Sequence, residues 1–201
     1  MNTAHRLVLA VATLVVAAAV SGFTGQADPL KDATALARTH DDALYESFNK
    51  SYSLSPSGMI DRAEIITEFR RAVLMVREQV RQGDYTSRQD LLAKALLPMK
   101  GMVTFIVQVR LHPLHAFHKE PAYDLYVGTG PASAPIASTG VKRDPVYAQG
   151  GGPGTAAMVA VRLEASFPRA EFRRSAMPQL IVTDDKAGIL WQAHLDLSRY
   201  R

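Results

Sequence analysis

Three histidines recur at intervals of three residues in the stretch HPLHAFHKE: His112, His115 and His118. Glu120 and Asp124 follow closely, and imidazole and carboxylate groups are typical zinc ligands. A single helical turn would bring His115 and His118 onto one face, but Pro113 and Pro121 favour a loop. The loop at 112–120 therefore suggests either a metal-dependent hydrolase or a surface loop whose histidines are solvated or bonded to the backbone.

A second candidate site is the segment SYSLSPSGMIDRAE, residues 51–64. Counted from Ser53, the twelve positions 53–64 resemble the EF-hand calcium loop, with Gly58 at position six and Glu64 at position twelve. The EF-hand pattern asks for Asp or Asn at positions one, three and five, and these hold Ser53, Ser55 and Ser57. Because serine hydroxyls are neutral ligands, the resemblance implies at most a weak calcium-responsive module.

The same residues also fit the start of a helix, and this interpretation is favoured over the calcium loop. Asp61 as N-cap and Glu64 three residues later match a capping box, and Ile60 and Ile65 match a hydrophobic staple. Apolar residues then follow the helical template as far as Val80. The pattern predicts a helix over 61–82, the strongest in the chain, joined to a preceding helix by residues 55–58.

Further catalytic patterns are incomplete. The stretch GTGPAS at 128 lacks the third glycine of a dinucleotide loop, and GGGPG lacks the Lys-Ser/Thr of a phosphate loop. No G-x-S-x-G motif is present. Glu164 and Asp196 are carboxylates of the kind that glycosidases pair, but no pattern links them. No catalytic residue or cofactor site is therefore predicted, and a non-enzymatic protein is the favoured hypothesis.

The elements that would position these residues change character near residue 100. Helical spacing occurs in 31–48 and 61–82, and a third helix is predicted to begin at Thr86 or Ser87 and to stop before Pro98. From Gly101 onward the apolar spacing has a period of two. The predicted strands are MVTFIVQVRL, YDLYV, TAAMVAVRLEASF, QLIVT and GILWQAHLDL, with DDKAG (184–188) as a hairpin loop.

These patterns predict an α+β fold. Two or three N-terminal helices are followed by an antiparallel β-sandwich of immunoglobulin-like size with six or seven strands. The predicted division is a signal peptide at 1–27, a helical segment at 28–100 and the sandwich at 101–201.

The first 27 residues predict export. LVLAVATLVVAAAV gives fourteen apolar residues after a short segment that carries Arg6, and Gly25 and Ala27 are small residues before the expected cleavage point. The apolar run is shorter than the roughly 18–20 residues of a spanning helix, so no stable membrane span is expected after cleavage. The chain has no cysteine, hence no disulfide, which fits a periplasmic or secreted bacterial-type protein.

Composition restricts the partners. The formal net charge is +4, and the basic residues are spread thinly rather than gathered in a stripe, so nucleic acid is not expected as a partner. The sequence predicts an exported binding or structural protein whose partner is an unidentified protein or envelope component. The alternatives are the metal-dependent hydrolase at 112–120 and the weak calcium-responsive module at 53–64.

Overall fold

Two antiparallel sheets and five helices make up the described part of the chain in the computed structural model. The structure describes residues 28–86, 88–112, 120–130, 134–148, 157–173 and 177–201. The helices are α1 Pro29–Ala37, α2 Asp42–Ser51, α3 Glu68–Arg81, α4 Gln89–Leu96 and α5 Arg169–Phe172. The strands are β1 Ile60–Ile66, β2 Met102–Arg110, β3 Asp124–Gly128, β4 Val141–Tyr147, β5 Met158–Pro168, β6 Gln179–Thr183 and β7 Ile189–His194.

The larger sheet has the strand order β1-β2-β5-β4, and the smaller has the order β3-β6-β7. Alternation along each strand sends one set of side chains into a shared core. Phe105 and Val107 of β2 and Leu163 of β5 are fully buried there, together with Leu125 of β3 and Leu180 of β6. The predicted α+β fold with a sandwich-like pair of sheets is therefore confirmed.

The N-terminal helices form a second buried cluster. Helices α1, α3 and α4 contribute to it through Ala33, Ala37, Ala72, Val73, Val76, Leu92 and Leu96. Ala33 and Ala37 of α1 are completely buried, which allows α1 to approach α3 closely. None of the helices in the described ranges is long and apolar enough to cross a membrane.

The predicted helix over 61–82 is wrong in its first part. Residues Ile60–Ile66 form strand β1, which pairs with β2, so the segment predicted as helical at 28–100 also supplies a strand to the sheet. The helix begins only at Glu68, and its N-cap is Thr67, whose side chain accepts a hydrogen bond from the backbone N–H of Arg70. Ile65 belongs to the core between the sheets, Glu64 and Ile66 beside it are buried as well, and pairing with a long central strand outweighs the local helical pattern.

The structure differs from the predictions in three smaller respects. The spacing over 31–48 is divided between α1 and α2, because Asp41 caps a new helix by accepting a hydrogen bond from the backbone N–H of Leu44. Helix α4 starts at Gln89 after Arg88, slightly later than predicted, and Ser87 lies outside the described residues. Strand β4 was not predicted, since VKRDPVY is polar on both faces, as an edge strand with a proline can be.

Candidate functional site

The outward face of the larger sheet carries two charged rows that cross all four strands, with Asp144 on β4 opposite Arg162 and Lys142 on β4 opposite Glu164. Strands β1 and β5 both run antiparallel to β2, which lies between them, so they are parallel to each other. Cross-strand register places Arg62, Gln108 and Arg162 in one row. The next row contains Glu64, Ile106 and Glu164. The tripeptides RAE (62–64) and RLE (162–164) therefore lie on either side of β2 at matching register.

Helices α2 and α3 and this face enclose a cleft of about 590 Å³. Four of its lining side chains are cationic and one is anionic: Lys50, Arg62, Arg70 and Arg162 against Glu64. The polar remainder is Tyr45, Asn49, Ser53 and Gln108, and the apolar part is Ile66, Leu74 and Ile106. The cleft, defined by these twelve residues, therefore has an excess of positive charge.

Two guanidinium groups hold Glu64 in place. Arg70, which is only 2% exposed, donates from Nη2 to Oε2 of Glu64 at 3.0 Å. Arg62 donates from Nε to the other carboxylate oxygen. Arg70 also donates from Nη1 to the backbone oxygens of Ile65, at 2.8 Å, and of Tyr52, at 3.4 Å. The ion pair joins β1 to α3 and orients Arg70 within the cleft wall.

The electrostatics of Arg70 follow from its burial. Burial lowers the pKa of Arg70, and the carboxylate of Glu64 raises it again. Arginine remains protonated even so, because its ordinary pKa is above 12. A buried charge of this kind needs its partners, so the cleft wall depends on the Glu64 contact.

Two buried polar atoms of the cleft residues have no hydrogen-bond partner in the described part of the chain. They are Nε of Arg70, a donor, and Oδ1 of Asn49, an acceptor. Buried polar groups are normally satisfied, so exceptions indicate a bound molecule or a function. Both residues line the cleft, but these two atoms are sealed from solvent, so the groups within reach of a ligand are the exposed cationic side chains.

The neighbouring row on the same face contains Thr104 and Ser166, which belong to a chain of hydrogen bonds. Arg71 Nη2 donates to Oγ1 of Thr104 at 2.9 Å, and that hydroxyl lies 2.7 Å from the hydroxyl of Ser166. Burial lowers the pKa of Arg71, and Glu164 raises it. Arg71, Thr104 and Ser166 therefore hydrogen-bond to one another in a chain. The row of Arg62, Gln108 and Arg162 supplies the polar surface of the cleft.

Sequence reasoning missed this site. The sequence patterns single out Glu64 only as a calcium ligand or a capping residue, place Arg70 and Arg162 on polar faces, and give Arg62 no role. The one signal in the sequence was the repeated R-x-E pattern, in which alternate residues share one face of a strand.

The predicted metal ligands are only partly described. His112 lies just after β2 and lines a separate cavity of about 810 Å³ at the end of the sandwich, together with Arg110, Tyr123 and Asp184. His115 and His118 lie outside the described residues. Within the described ranges, no group of three His, Cys, Asp or Glu residues could hold a metal ion.

The structure does not give 53–64 the helix–loop–helix geometry of a calcium site. Glu64 lies on β1, and its two oxygens accept from Arg62 and Arg70. Gly58 has a φ of 62°, so its conformation suits a tight turn, which the hydrogen bond from Ile60 N to Ser57 O closes at 3.1 Å. The capping box and the staple predicted here are also wrong, because Asp61, Glu64 and their neighbours form a strand.

The carboxylates Glu164 and Asp196 are not brought to one sheet. Glu164 lies on β5 of the larger sheet, 3.6 Å from Arg162. Asp196 follows β7 of the smaller sheet and accepts a hydrogen bond from the backbone N–H of Ser198. Hydrogen bonds from Ser198 lower the pKa of Asp196, which makes it a capping residue of a short 3₁₀ turn.

Comparison with known proteins finds no matching family model, no matching curated protein and no matching solved structure. The chain is therefore described by its own architecture, an α+β protein whose polar sheet face forms a cleft with two helices.

Proposed function

We propose that this chain is an exported, non-enzymatic binding protein and that the cleft between α2, α3 and the larger sheet is its ligand site. One observation carries the proposal: four cationic side chains and a single carboxylate line one concave cleft. A charged, concave site of this size suits recognition of a small molecule or of a group on an envelope component.

The contacts in the cleft favour binding over proton transfer. Both oxygens of Glu64 accept hydrogen bonds from guanidinium groups. The carboxylate is therefore engaged in orienting Arg62 and Arg70 rather than directed at a ligand. Arg70 is in turn fixed by two backbone oxygens, so the wall is preorganised, which lowers the entropic cost of binding.

Export is part of the proposal and rests on the signal-peptide pattern of residues 1–27, which lie outside the described residues. The full chain should be expressed in a bacterial host, followed by cell fractionation and mass spectrometry of the purified protein. We expect recovery outside the cytoplasm with a mass that lacks residues 1–27. Full-length protein confined to the cytoplasm would contradict export.

The binding site is tested on that purified protein with a panel of neutral sugars, amino acids and small organic ions. A ligand that binds the folded state raises the melting temperature with concentration. Hydrogen exchange should then show protection in β1 and α3, and Asn49→Ala should weaken the shift. The matched control is Arg88→Ala, which removes an exposed arginine paired with Asp90 outside the cleft. Protection confined to other elements would overturn the assignment of the site.

A further inference from the structure

We propose that the ligand carries an oxyanion, a carboxylate, phosphate or sulfate group, which binds between Arg62 and Arg162 over Gln108. This inference rests on the proposed function, because it assigns the chemistry of the ligand to the same cleft. It is carried by the cross-strand row and by the charge of the cleft.

The row has dimensions that suit a shared anion. Neighbouring strands lie about 4.8 Å apart, so the Cα atoms of Arg62 and Arg162 are separated by roughly 10 Å across β2. Both side chains line the cleft, and arginine stems are long enough to bring two guanidinium groups to one oxyanion between them. Gln108, which lies between them in the row, offers an amide donor.

Both arginines have N–H donors left for an anion. Their side chains are 66% and 45% exposed, and each pairs with a carboxylate on its own strand, Glu64 or Glu164. Arg62 contacts the buried Glu64 through Nε and keeps its other N–H donors for an incoming anion, whereas Arg162 is held only by a partly exposed pair that contributes little to stability. Each guanidinium carries five donors in a planar fork that fits an oxyanion in bidentate geometry.

The surrounding residues define the rest of the ligand. Lys50 and the buried Arg70 add positive charge, so the cationic groups outnumber the single carboxylate of Glu64, and such an excess concentrates anions. The cleft volume of about 590 Å³ exceeds what a bare inorganic anion fills. Ile66, Leu74 and Ile106 supply an apolar surface for a carbon skeleton. A small organic oxyanion therefore fits the cleft better than an inorganic ion does.

The test is isothermal titration calorimetry of the purified exported protein at low salt. The probes are inorganic phosphate, citrate and neutral glucose, and the variants are Arg62→Ala, Arg162→Ala and the control Arg88→Ala. We expect citrate to bind more tightly than phosphate. Each cleft variant should weaken citrate binding by about tenfold or more, which corresponds to the loss of one charge-assisted contact. Arg88→Ala should bind as the parent protein does, and thermal melts confirm that all variants are folded.

The outcomes separate this inference from the proposed function. Equal citrate affinity in the cleft variants and in the parent protein would overturn the oxyanion site. A neutral ligand that protects β1 and α3 from exchange, with no anion binding, would also overturn it but would support the cleft as a binding site. If no probe of either kind perturbs the cleft, both proposals fail.

A lipid headgroup and a free anion present the same chemistry, and a second binding experiment distinguishes them. Phosphatidylcholine vesicles with and without phosphatidylglycerol are compared with free glycerol phosphate. Arg162-dependent binding of glycerol phosphate supports a free ligand, and Arg162-dependent cosedimentation only with phosphatidylglycerol vesicles supports a headgroup. Either result supports the oxyanion site, and vesicle binding that Arg162→Ala leaves unchanged contradicts it.

Discussion

Glu64 on β1 and Arg70 on α3 form a buried ion pair, with Oε2 and Nη2 3.0 Å apart. The pair spans the turn at Thr67, where the strand ends and the helix begins. The Tyr52 ring packs against the guanidinium at 5.3 Å from the ring centroid. This contact connects the sheet to the helical layer, so it is expected to affect both stability and the geometry of the cleft.

Removal of Glu64 should destabilise the protein strongly. Glu64→Ala leaves the buried guanidinium of Arg70 without its carboxylate, and breaking a buried pair in this way costs about 3–5 kcal/mol. Chemical denaturation measures the loss in the free energy of unfolding. The matched control is Glu164→Ala in the same row, where the partly exposed pair with Arg162 should be worth less than about 1 kcal/mol. Equal losses at the two positions would show that the Glu64 pair is not the stabilising contact.

The double variant Glu64→Leu/Arg70→Met tests whether the two charges act as a pair. Replacing both charges by apolar groups removes the desolvation cost as well as the attraction, so the loss should be smaller than for Glu64→Ala. A double variant as unstable as the sum of the two single variants would indicate that the residues act independently.

Loss of the N-cap of α3 should be measurable at Thr67 and not at Asp61. Thr67→Ala removes the side-chain acceptor for the Arg70 N–H and should cost about 1–2 kcal/mol. Asp61→Ala removes only a surface ion pair with Arg110, whose atoms are 3.5 Å apart, and should cost under about 0.5 kcal/mol. Urea denaturation compares the two variants, and a larger loss for Asp61→Ala would favour the predicted helix over 61–82.

Ionisation of Tyr52 should lower the stability of the folded protein at alkaline pH. Burial raises the pKa of Tyr52 above its ordinary value of 10.0, so the folded protein retains a proton that the unfolded chain releases. Its contribution is fully present below pH 10 and is lost as the pH rises through the folded pKa. Denaturation midpoints measured from pH 8 upward should decline less steeply in Tyr52→Phe, with each protein's own midpoint at pH 8 as the reference. The same slope in both proteins would contradict this role.

Replacing Ala187 by glycine in the hairpin loop between β6 and β7 should stabilise the protein. Ala187 has a φ of 60°, in the left-handed region that side chains with a Cβ disfavour. Asp184 holds the loop by accepting from the backbone N–H groups of Lys186 and Gly188 at 3.0 and 2.7 Å. Ala187→Gly should therefore raise the free energy of unfolding by up to about 1 kcal/mol. A decrease of similar size in thermal melts would mean that the loop adopts another conformation.

Zinc titration tests the hydrolase hypothesis for the loop at 112–120. A binding protein without a zinc site should show the same melting response to zinc in the parent protein and in His115→Ala and His118→Ala. A zinc-induced rise that both variants abolish would establish a site there, because only binding to the folded state raises the melting temperature. Hydrolysis of ester or amide substrates would then have to be measured with and without a chelator.

The strand patterns were predictable because alternation is a local property. The spacing in MVTFIVQVRL and TAAMVAVRLEASF identified two central strands and their buried faces, including Phe105 and Leu163. The hairpin loop at 184–188 was also recognised from local composition. Strand β1 is predicted as a helix, because the adjacent apolar residues at 65 and 66 do not alternate, and only the pairing with β2 makes the segment a strand.

The candidate site was not predictable in this way. Arg62, Gln108 and Arg162 come from three strands, and only the cross-strand register places them in one row. The burial of Arg70 is likewise a consequence of how α3 packs on the larger sheet.

The sequence alone determined the fold class, the alternating faces of the main strands and the position of the DDKAG hairpin, because these depend on the types of neighbouring residues. Only the tertiary structure decided that Arg62 and Arg162 share a cleft and that Glu64 pairs with Arg70 instead of capping a helix. Register and helix packing set those contacts, and both arise from the burial of surfaces that lie far apart in the chain.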